Sequence, residues 1–286
     1  MATNAWLPWP TFGGKQLWGD VFLRGGYRIQ RHAMWKHHHR LLDPWDRRLV
    51  AGSWEACRAA FEGACEGRDL QPVSDHLVLL LHGIFRSKDS FGPMTKALRK
   101  AGYEAHAVNY PSTRQSLEAH AEQLEALLDH AEGIRRVSFV THSMGGIVTR
   151  VLLSRPGAWR ERIEVHRVVL IGTPNRGAEI ASLLGQVGPF RAVAGPALEQ
   201  LHPDRHGDLP PLTAPFAIIA GGRGDERGFN PLLPGDNDMT VTVEETRLDG
   251  ADDFLLVPAV HTFIMVHPST IEATIHYLGT GRLTAG

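Results

Sequence analysis

Ser143 lies where a nucleophile could be built. The sequence THSMGG at residues 141–146 separates an apolar strand pattern at 137–141 from a helical pattern at 144–153. A serine on a sharp turn from strand to helix projects its hydroxyl outward, and the following N–H groups point at the same place. The helix N-terminus also favours developing negative charge. We therefore predict that Ser143 attacks a carbonyl carbon. A helix cap alone would not need the flanking histidine and paired glycines.

A nucleophilic serine needs a base, and two late histidines are available. His261 follows the strand pattern at residues 254–258 and precedes the last helical pattern. His267 directly precedes Pro268, where that helix is expected to begin. We expect His261 to take the proton of Ser143 and later to protonate the leaving group.

Three aspartates are candidates for the acid that orients this base. Asp238 belongs to the sequence DNDMTVTV at residues 236–243, where an acid followed by a small turn and alternating valines suits a loop returning to the sheet. It is the predicted acid. Asp225 lies closer to the strand pattern at 216–220, where simple topology would put an acid, and Asp236 lies beside Asp238. Both remain alternatives.

Backbone N–H groups are predicted to bind the oxyanion that forms when the serine attacks. The sequence HGI at residues 82–84 ends an apolar run, and Met144 directly follows the serine. We predict the N–H groups of Ile84 and Met144 as the two donors; losing one such donor typically costs about 10²–10³ in rate. His82 is expected to hydrogen-bond beneath this loop and to hold it in place.

Alternating strand and helix patterns predict how these residues are positioned. The strand patterns lie at 76–82, 103–109, 137–141, 165–171, 216–220 and 254–258, and the helical ones at 91–100, 114–131, 144–153 and 268–278. The alternation predicts an α/β fold, with a mostly parallel central sheet and helices on both faces. We assign residues 76–286 to this catalytic domain. The Gly- and Pro-rich stretch 178–215 is expected to be a functional loop or a small cap.

These motifs, in this order, resemble the α/β-hydrolase superfamily and in particular its bacterial lipase and esterase branch. The resemblance covers about residues 77–278 and includes the sequence GTPNRG at 172–177. The 23 residues between Asp238 and His261 resemble the small lipases that have little or no lid. Thr141 stands where the superfamily pattern usually has glycine. The resemblance implies the chain order serine, acid, histidine, and hydrolysis through an acyl-enzyme on Ser143 without metal or organic cofactor.

The expected substrate is a small-molecule ester or an acyl lipid, cleaved at a carboxylic ester bond. A thioesterase or an amidase would use the same three residues, so both remain alternatives. A non-catalytic binding protein on the same fold is a third interpretation, although all the required residue types are present. Phe85, Leu183 and Phe190 are candidates for lining an acyl pocket.

Composition argues against several other classes. The net charge of −1 over 286 residues provides no global field for nucleic acid or anionic membranes. No run of 18 apolar residues and no leader pattern is visible, so we expect no transmembrane segment and a cytoplasmic location. Cys57 and Cys65 are eight residues apart in a predicted helix, about 12 Å by helical rise, which is too far for a disulfide. The oligomeric state is left open.

Residues 1–75 form a separate, tryptophan-rich extension. Two strands at 26–32 and 37–42 are expected to pair as a hairpin, followed by a helix at 54–66 with Ser53 as its N-cap. Packing on the core is the expected role of its aromatic residues, with partner docking as the alternative; these are Trp6, Trp9, Trp18, Trp35 and Trp45. No metal site is expected, because the histidines at 37–39 alternate between two faces and the acidic cluster at 236–238 is weak evidence for calcium.

Overall fold

The computed structural model describes residues 9–10, 14–177 and 211–284. The N-terminal part contains a five-stranded antiparallel sheet in the order β1-β5-β4-β3-β2. Its strands are β1 (Trp9–Pro10), β2 (Trp18–Arg24), β3 (Tyr27–His32), β4 (His39–Leu42) and β5 (Arg47–Gly52). The expected hairpin is the β3–β4 pair, whereas β2 and β5 were not predicted from the sequence.

Helix α1 (Trp54–Ala64) covers one side of this sheet. Ser53 caps it as predicted, its hydroxyl accepting a hydrogen bond from the Ala56 N–H at 3.2 Å. The helix and the sheet share a small apolar core of their own that includes Phe22, Ile29 and Phe61. Cys57 and Cys65 are free thiols.

Six parallel strands form the central sheet, in the order β7-β6-β8-β9-β10-β11. They are β6 (His76–Leu81), β7 (Glu104–Val108), β8 (Arg136–His142), β9 (Glu164–Ile171), β10 (Phe216–Gly221) and β11 (Asp253–Val257). Within the described residues, the α-helices that follow α1 are α2 (Gly92–Lys100), α3 (Leu117–Asp129), α4 (Met144–Ser154), α5 (Val243–Thr246) and α6 (Pro268–Thr280). The predicted fold class is confirmed.

Strand β6 shows why the sequence pattern was continuously apolar. Leu77, Leu79 and Leu81 pack on the face covered by α3 and α4. Val78 and Leu80 pack on the opposite face, against α2 and α6. A strand that is covered on both faces gains from an apolar residue at every position, so it shows no alternation.

One short helix replaces an expected loop. Residues 243–246 form α5, where the alternating valines had indicated only a loop returning to the sheet. Thr242 and Glu245 close a capping box: the Thr242 hydroxyl accepts from the Glu245 N–H at 3.1 Å, and the Glu245 carboxylate accepts from the Thr242 N–H. This reciprocal pair begins the helix.

Asp20 and Asn109 join the N-terminal sheet to the central sheet at the carboxyl end of β7. The Asp20 N–H donates to the Asn109 carbonyl at 2.8 Å, and the Asp20 carboxylate accepts from the Asn109 N–H at 2.7 Å. Asp20 is buried and also accepts from Arg28 at 2.6 Å and from Gln30 at 2.7 Å. We keep residue 75 as the proposed boundary between the two parts.

The tryptophans contribute less to this packing than the sequence suggested. Trp35 and Trp45 are 66% and 74% exposed, so neither packs the extension onto the core. Each has a local partner instead: His32 stacks on Trp35 at 4.7 Å, and Arg47 lies over Trp45. The side chains of Trp6 and Trp9 lie outside the described residues. No helix in the described ranges is both long and apolar enough to cross a membrane.

Candidate active site

Ser143 lies on the turn between β8 and α4 in a conformation that few non-glycine residues adopt. Its φ is 54° and its ψ is −125°, and such a backbone costs on the order of 1–3 kcal/mol. The turn is held from both sides, since the Ser143 N–H donates to Ile171 at 2.9 Å and the Ser143 carbonyl accepts from Gly146. This is the sharp strand-to-helix turn predicted from the sequence.

The glycines after the serine are required by close packing. A Cβ at Gly145 would lie 2.4 Å from the Leu81 carbonyl oxygen, and one at Gly146 would lie 2.2 Å from the Thr173 hydroxyl. Helix α4 therefore approaches β6 more closely than any side chain would permit. Thr141, which replaces the usual glycine, is buried within β8 and donates its hydroxyl to the Val169 carbonyl at 3.1 Å. Its side chain thus has a partner and room.

Asp238 and His261 form the ionisable pair beside this turn. The Asp238 Oδ2 and His261 Nδ1 atoms are 2.6 Å apart, and Asp238 is fully buried. Its other oxygen accepts from the N–H groups of Thr240 and Val241, and the His261 N–H donates to the Asp238 carbonyl at 2.8 Å. Because the carboxylate accepts, Nδ1 carries the imidazole proton, which leaves Nε2 as the basic nitrogen.

Gly172 makes room for this pair. Its φ is 54°, and an added Cβ would lie 3.3 Å from both Asp238 Oδ2 and His261 Nδ1. The GTPNRG segment noted in the sequence therefore begins directly against the Asp–His pair. Any side chain at residue 172 would crowd both partners.

The rival acids have other tasks. Asp225 accepts from the N–H groups of Arg227 and Gly228. Asp236 accepts from those of Arg223 and Gly224 at 2.7 and 2.8 Å. Both carboxylates thus stabilise the loop after β10, and neither forms a hydrogen bond with His261 in the part of the chain that the structure describes. His267, the alternative to His261, directly precedes α6, as its position before Pro268 predicts.

The HGI segment forms a turn against Ser143. The Gly83 carbonyl accepts from the Arg86 N–H at 3.3 Å, and a Cβ at Gly83 would lie 3.0 Å from the Ser143 Cβ. Phe85, inside the turn, has a φ of 61°. Neither the Ile84 nor the Met144 N–H donates to a residue within the described ranges. Both donors are thus available to a ligand there.

His82 supports the turn from below, as the sequence predicted. Its Nδ1 donates to the Gly83 carbonyl at 2.8 Å, and its ring stacks on Tyr110 at 4.1 Å. Its Nε2 accepts from the Tyr110 N–H at 3.5 Å, which fixes the tautomer. Burial lowers the pKa of His82 to about 4, so the ring is neutral at pH 7.

His142 is the site residue that sequence reasoning missed. Its Nε2 donates to the His261 carbonyl at 3.0 Å, and the two rings are 4.6 Å apart. A Cβ at Gly83 would lie 3.1 Å from its Nδ1, so His142 lies between the 83–86 turn and His261. Burial and the neighbouring His261 hold the pKa of His142 well below its usual range. The only sequence signal was its position beside Ser143.

The remaining predicted features are placed only in part. Phe85, inside the 83–86 turn, is 43% exposed, whereas Leu183, Phe190 and most of the 178–215 stretch lie outside the described residues. Among the side chains that the structure describes, no group of three or more His, Cys, Asp or Glu could hold a metal ion.

The parallel sheet, its flanking helices and the strained turn at Ser143 together define an α/β-hydrolase fold. Residues 48–184 match the family model described as "Domain of unknown function (DUF7379)". No curated protein sequence matches the chain.

Solved structures of bacterial and metagenomic enzymes share this fold. A lipase of Bacillus licheniformis, BlEst2 in its mature form, is 22% identical over 73% of this chain and 91% of its own, with a TM-score of 0.57. The metagenomic carboxyl esterase MGS0156 is 17% identical over 75% of this chain and 80% of its own, with a TM-score of 0.56. Phospholipase PlaB from Legionella pneumophila, in complex with thio-NAD, is 15% identical over 70% of this chain, with a TM-score of 0.54. This chain spans 56% of that phospholipase.

Proposed function

We propose that this chain is a serine hydrolase that cleaves carboxylic esters through an acyl-enzyme on Ser143. The observation that carries the proposal is the 2.6 Å pair between Asp238 and His261, buried beside a serine held at a φ of 54°. A carboxylate, an imidazole and a serine in this chain order are the components of nucleophilic acyl transfer.

In the acylation step, Ser143 Oγ attacks the ester carbonyl carbon while His261 Nε2 takes its proton. The carbonyl electron pair moves to the oxygen, and the N–H groups of Ile84 and Met144 donate to this oxyanion. The tetrahedral intermediate then collapses, the C–O bond to the alcohol breaks, and His261 returns the proton to the leaving oxygen. The products are an acyl-serine and a free alcohol.

Deacylation repeats these roles with water as the nucleophile. His261 takes a proton from water as its oxygen attacks the acyl carbon, and Ser143 leaves with that proton. Asp238 stabilises the imidazolium in both steps and keeps Nδ1 protonated. Because its second oxygen is held by Thr240 and Val241, the carboxylate cannot rotate away from the base. The proposed steps need neither a metal ion nor an organic cofactor.

The proposed substrate is a small-molecule ester or an acyl lipid. Three exposed apolar side chains follow the proposed site residues closely in sequence: Phe85 after Ile84, Met239 after Asp238, and Phe263 two residues after His261. Their exposure is 43%, 50% and 62%, so each offers apolar surface within two residues of a proposed site residue, which supports an acyl substrate. The proteins of similar structure include a lipase, a carboxyl esterase and a phospholipase, which agrees with this substrate class. The cytoplasmic location stays a prediction.

The test is turnover of p-nitrophenyl acetate, butyrate and palmitate by the wild type and by Ser143→Ala. The matched control is Ser154→Ala, at the other end of α4, whose hydroxyl donates only to the Val151 carbonyl among its described contacts. We expect activity to disappear in Ser143→Ala and to persist in Ser154→Ala. Hydrolysis that survives in Ser143→Ala would refute the nucleophile, and an inactive wild type would refute ester cleavage.

A further inference from the structure

Gln16, in the turn before β2, bridges two loops of the central sheet with its side-chain amide: the loop after β6 and the loop after β7. Its Nε2 donates to the Arg86 carbonyl at 2.9 Å. Its Oε1 accepts from the Thr113 N–H at 3.2 Å and from the hydroxyls of Ser112 and Thr113 at 3.1 and 3.2 Å. The orientation of the amide is fixed, because the carbonyl can only accept and the N–H can only donate.

The backbone around Gln16 is pinned on both sides. Asn109, at the end of β7, donates from Nδ2 to the carbonyls of Lys15 and Trp18, each at 2.8 Å. Lys15 also forms an ion pair with Asp89, which follows the HGI turn in sequence. The main chain that carries the Gln16 amide is therefore held in place by contacts with the carboxyl end of the central sheet.

The loop that receives this amide is a strained one. Phe85 has a φ of 61°, a conformation that is disfavoured for a bulky side chain. Such a conformation persists only where the surroundings hold it. At one end of the turn, the Gly83 carbonyl accepts from His82 and from Arg86. At the other end, the Arg86 carbonyl accepts from Gln16. Ile84 lies between these two ends.

We propose that Gln16 is a positioning residue for the oxyanion donor at Ile84. It touches no reacting atom; it holds the far end of the 83–86 turn, so that the Ile84 N–H stays aimed at the position of the oxyanion. The inference rests on the proposed function. It also makes the N-terminal segment part of the catalytic unit, although the family match begins only at residue 48.

The decisive variant is Gln16→Glu, which keeps the size of the side chain. Its carboxylate can still accept from Ser112 and Thr113, but it cannot donate to the Arg86 carbonyl. Gln16→Leu removes both contacts and serves as a second variant. The matched control is Gln115→Glu. Gln115 also joins the two parts of the chain by one hydrogen bond from its side-chain amide, from Nε2 to the Ala33 carbonyl at 2.9 Å, and it does not touch the 83–86 turn.

Two readouts separate positioning from a structural role. With p-nitrophenyl butyrate, we expect kcat to fall roughly tenfold in both Gln16 variants and KM to change less than about twofold; complete loss of a donor costs about 10²–10³ in rate. The inhibition constant of a trifluoromethyl ketone, which adds to the serine and forms an oxyanion, is expected to rise by the same factor as kcat/KM falls. Gln115→Glu should match the wild type in both measurements.

Three outcomes would overturn the inference. If the kcat and the inhibition constant of Gln16→Glu equal those of Gln115→Glu, the Arg86 contact does not position the donor. The proposed function is then unaffected. If only KM rises, Gln16 serves substrate access and not the oxyanion. If the wild type shows no Ser143-dependent hydrolysis, the proposed function fails and this inference fails with it. Thermal unfolding of all four proteins identifies a variant that has lost its fold. If Gln16→Leu unfolds, the kinetics of Gln16→Glu, which keeps the acceptor contacts, decide the test.

Discussion

His142 donates from Nε2 to the backbone oxygen of His261 at 3.0 Å, so the residue before the serine holds the loop of the histidine. The contact joins β8 to the loop after β11 and fixes the main chain of the proposed base. His261 is thus held by three hydrogen bonds: its ring and its N–H contact Asp238, and its carbonyl accepts from His142.

Replacing His142 by phenylalanine should lower kcat roughly tenfold while the protein stays folded. The ring volume is kept, but one buried hydrogen bond is lost, which is worth about 0.5–1.5 kcal/mol net, and a tenfold rate change corresponds to about 1.4 kcal/mol. Ester hydrolysis and urea unfolding measure the two effects. The control is His76→Phe, a buried histidine bonded to Ser138 at the amino end of β6. Equal kcat values in the two variants would contradict a role for His142.

Asp238→Asn should leave a folded protein whose kcat is lower by about 10⁴, as when the orienting acid of a Ser-His-Asp triad is removed. The asparagine amide would donate to His261 Nδ1 and would place the ring proton on Nε2, the wrong tautomer for a base. Steady-state kinetics with p-nitrophenyl butyrate measure this loss. Asp225→Asn is the control and should retain activity, since Asp225 bonds only loop N–H groups and Arg223 among its described contacts. The reverse result would move the acid to Asp225.

Buried histidines should make the protein less stable as the pH falls below about 6.5. Burial lowers the pKa of His120 from 6.5 to about 3. Between these values the unfolded chain holds a proton there that the folded chain does not, so the free energy of unfolding decreases with decreasing pH. The stability that comes from keeping His120 neutral is fully present above pH 6.5 and is lost as the pH falls towards 3.

His120→Leu isolates this effect. Neither ring nitrogen of His120 has a hydrogen-bond partner among the described residues, so leucine breaks no such contact. Urea unfolding at pH 4.5, 5.0 and 5.5 should show a slope lower by about 1.4 kcal/mol per pH unit than in the wild type, the value for one proton. An unchanged slope would mean that His120 titrates normally in the folded protein.

Gly145→Ala should destabilise the protein by about 1–3 kcal/mol, the usual cost of overpacking. The new methyl group would lie 2.4 Å from the Leu81 carbonyl, so α4 must move away from β6 and carry Ser143 with it. The measurement is thermal unfolding together with ester hydrolysis. Gly63→Ala is the control: it lies in α1, and no atom beyond its chain neighbours and the nearby helix backbone lies within 4 Å of the new methyl. This substitution should stabilise the helix by up to about 1 kcal/mol. Similar unfolding temperatures in both variants would contradict the packing argument.

The central sheet could be predicted because strands such as β6 and β10 are apolar on both faces, whereas β2 and β5 could not. In β2, a buried Asp20 interrupts the apolar pattern, and it is tolerated only because Arg28 and Gln30 from the next strand accompany it. In β5, Arg47 and Arg48 are exposed and resemble a loop. Such positions depend on neighbours that a local pattern does not contain.

The same limit applies to the site. Ser143 lies in a local motif, and Asp238 and His261 each follow a strand pattern, so their candidacy could be inferred from sequence. The contact of His142 spans 119 residues and that of Gln16 spans 70. Both end on backbone oxygens, which every residue type carries. The residue type that carries the accepting backbone oxygen gives no sign of such a contact, so only the folded structure reveals it.

The reciprocal hydrogen bonds between Asp20 and Asn109 bear on how this protein could be engineered. A truncation that kept only the central sheet would leave the Asn109 N–H and carbonyl without these partners and would remove the acceptors of its side chain. A chimera built on the central sheet is therefore expected to need β2, which carries Asp20, together with the turn before it. We expect the two sheets to unfold together, and a single calorimetric transition for the whole chain would show this.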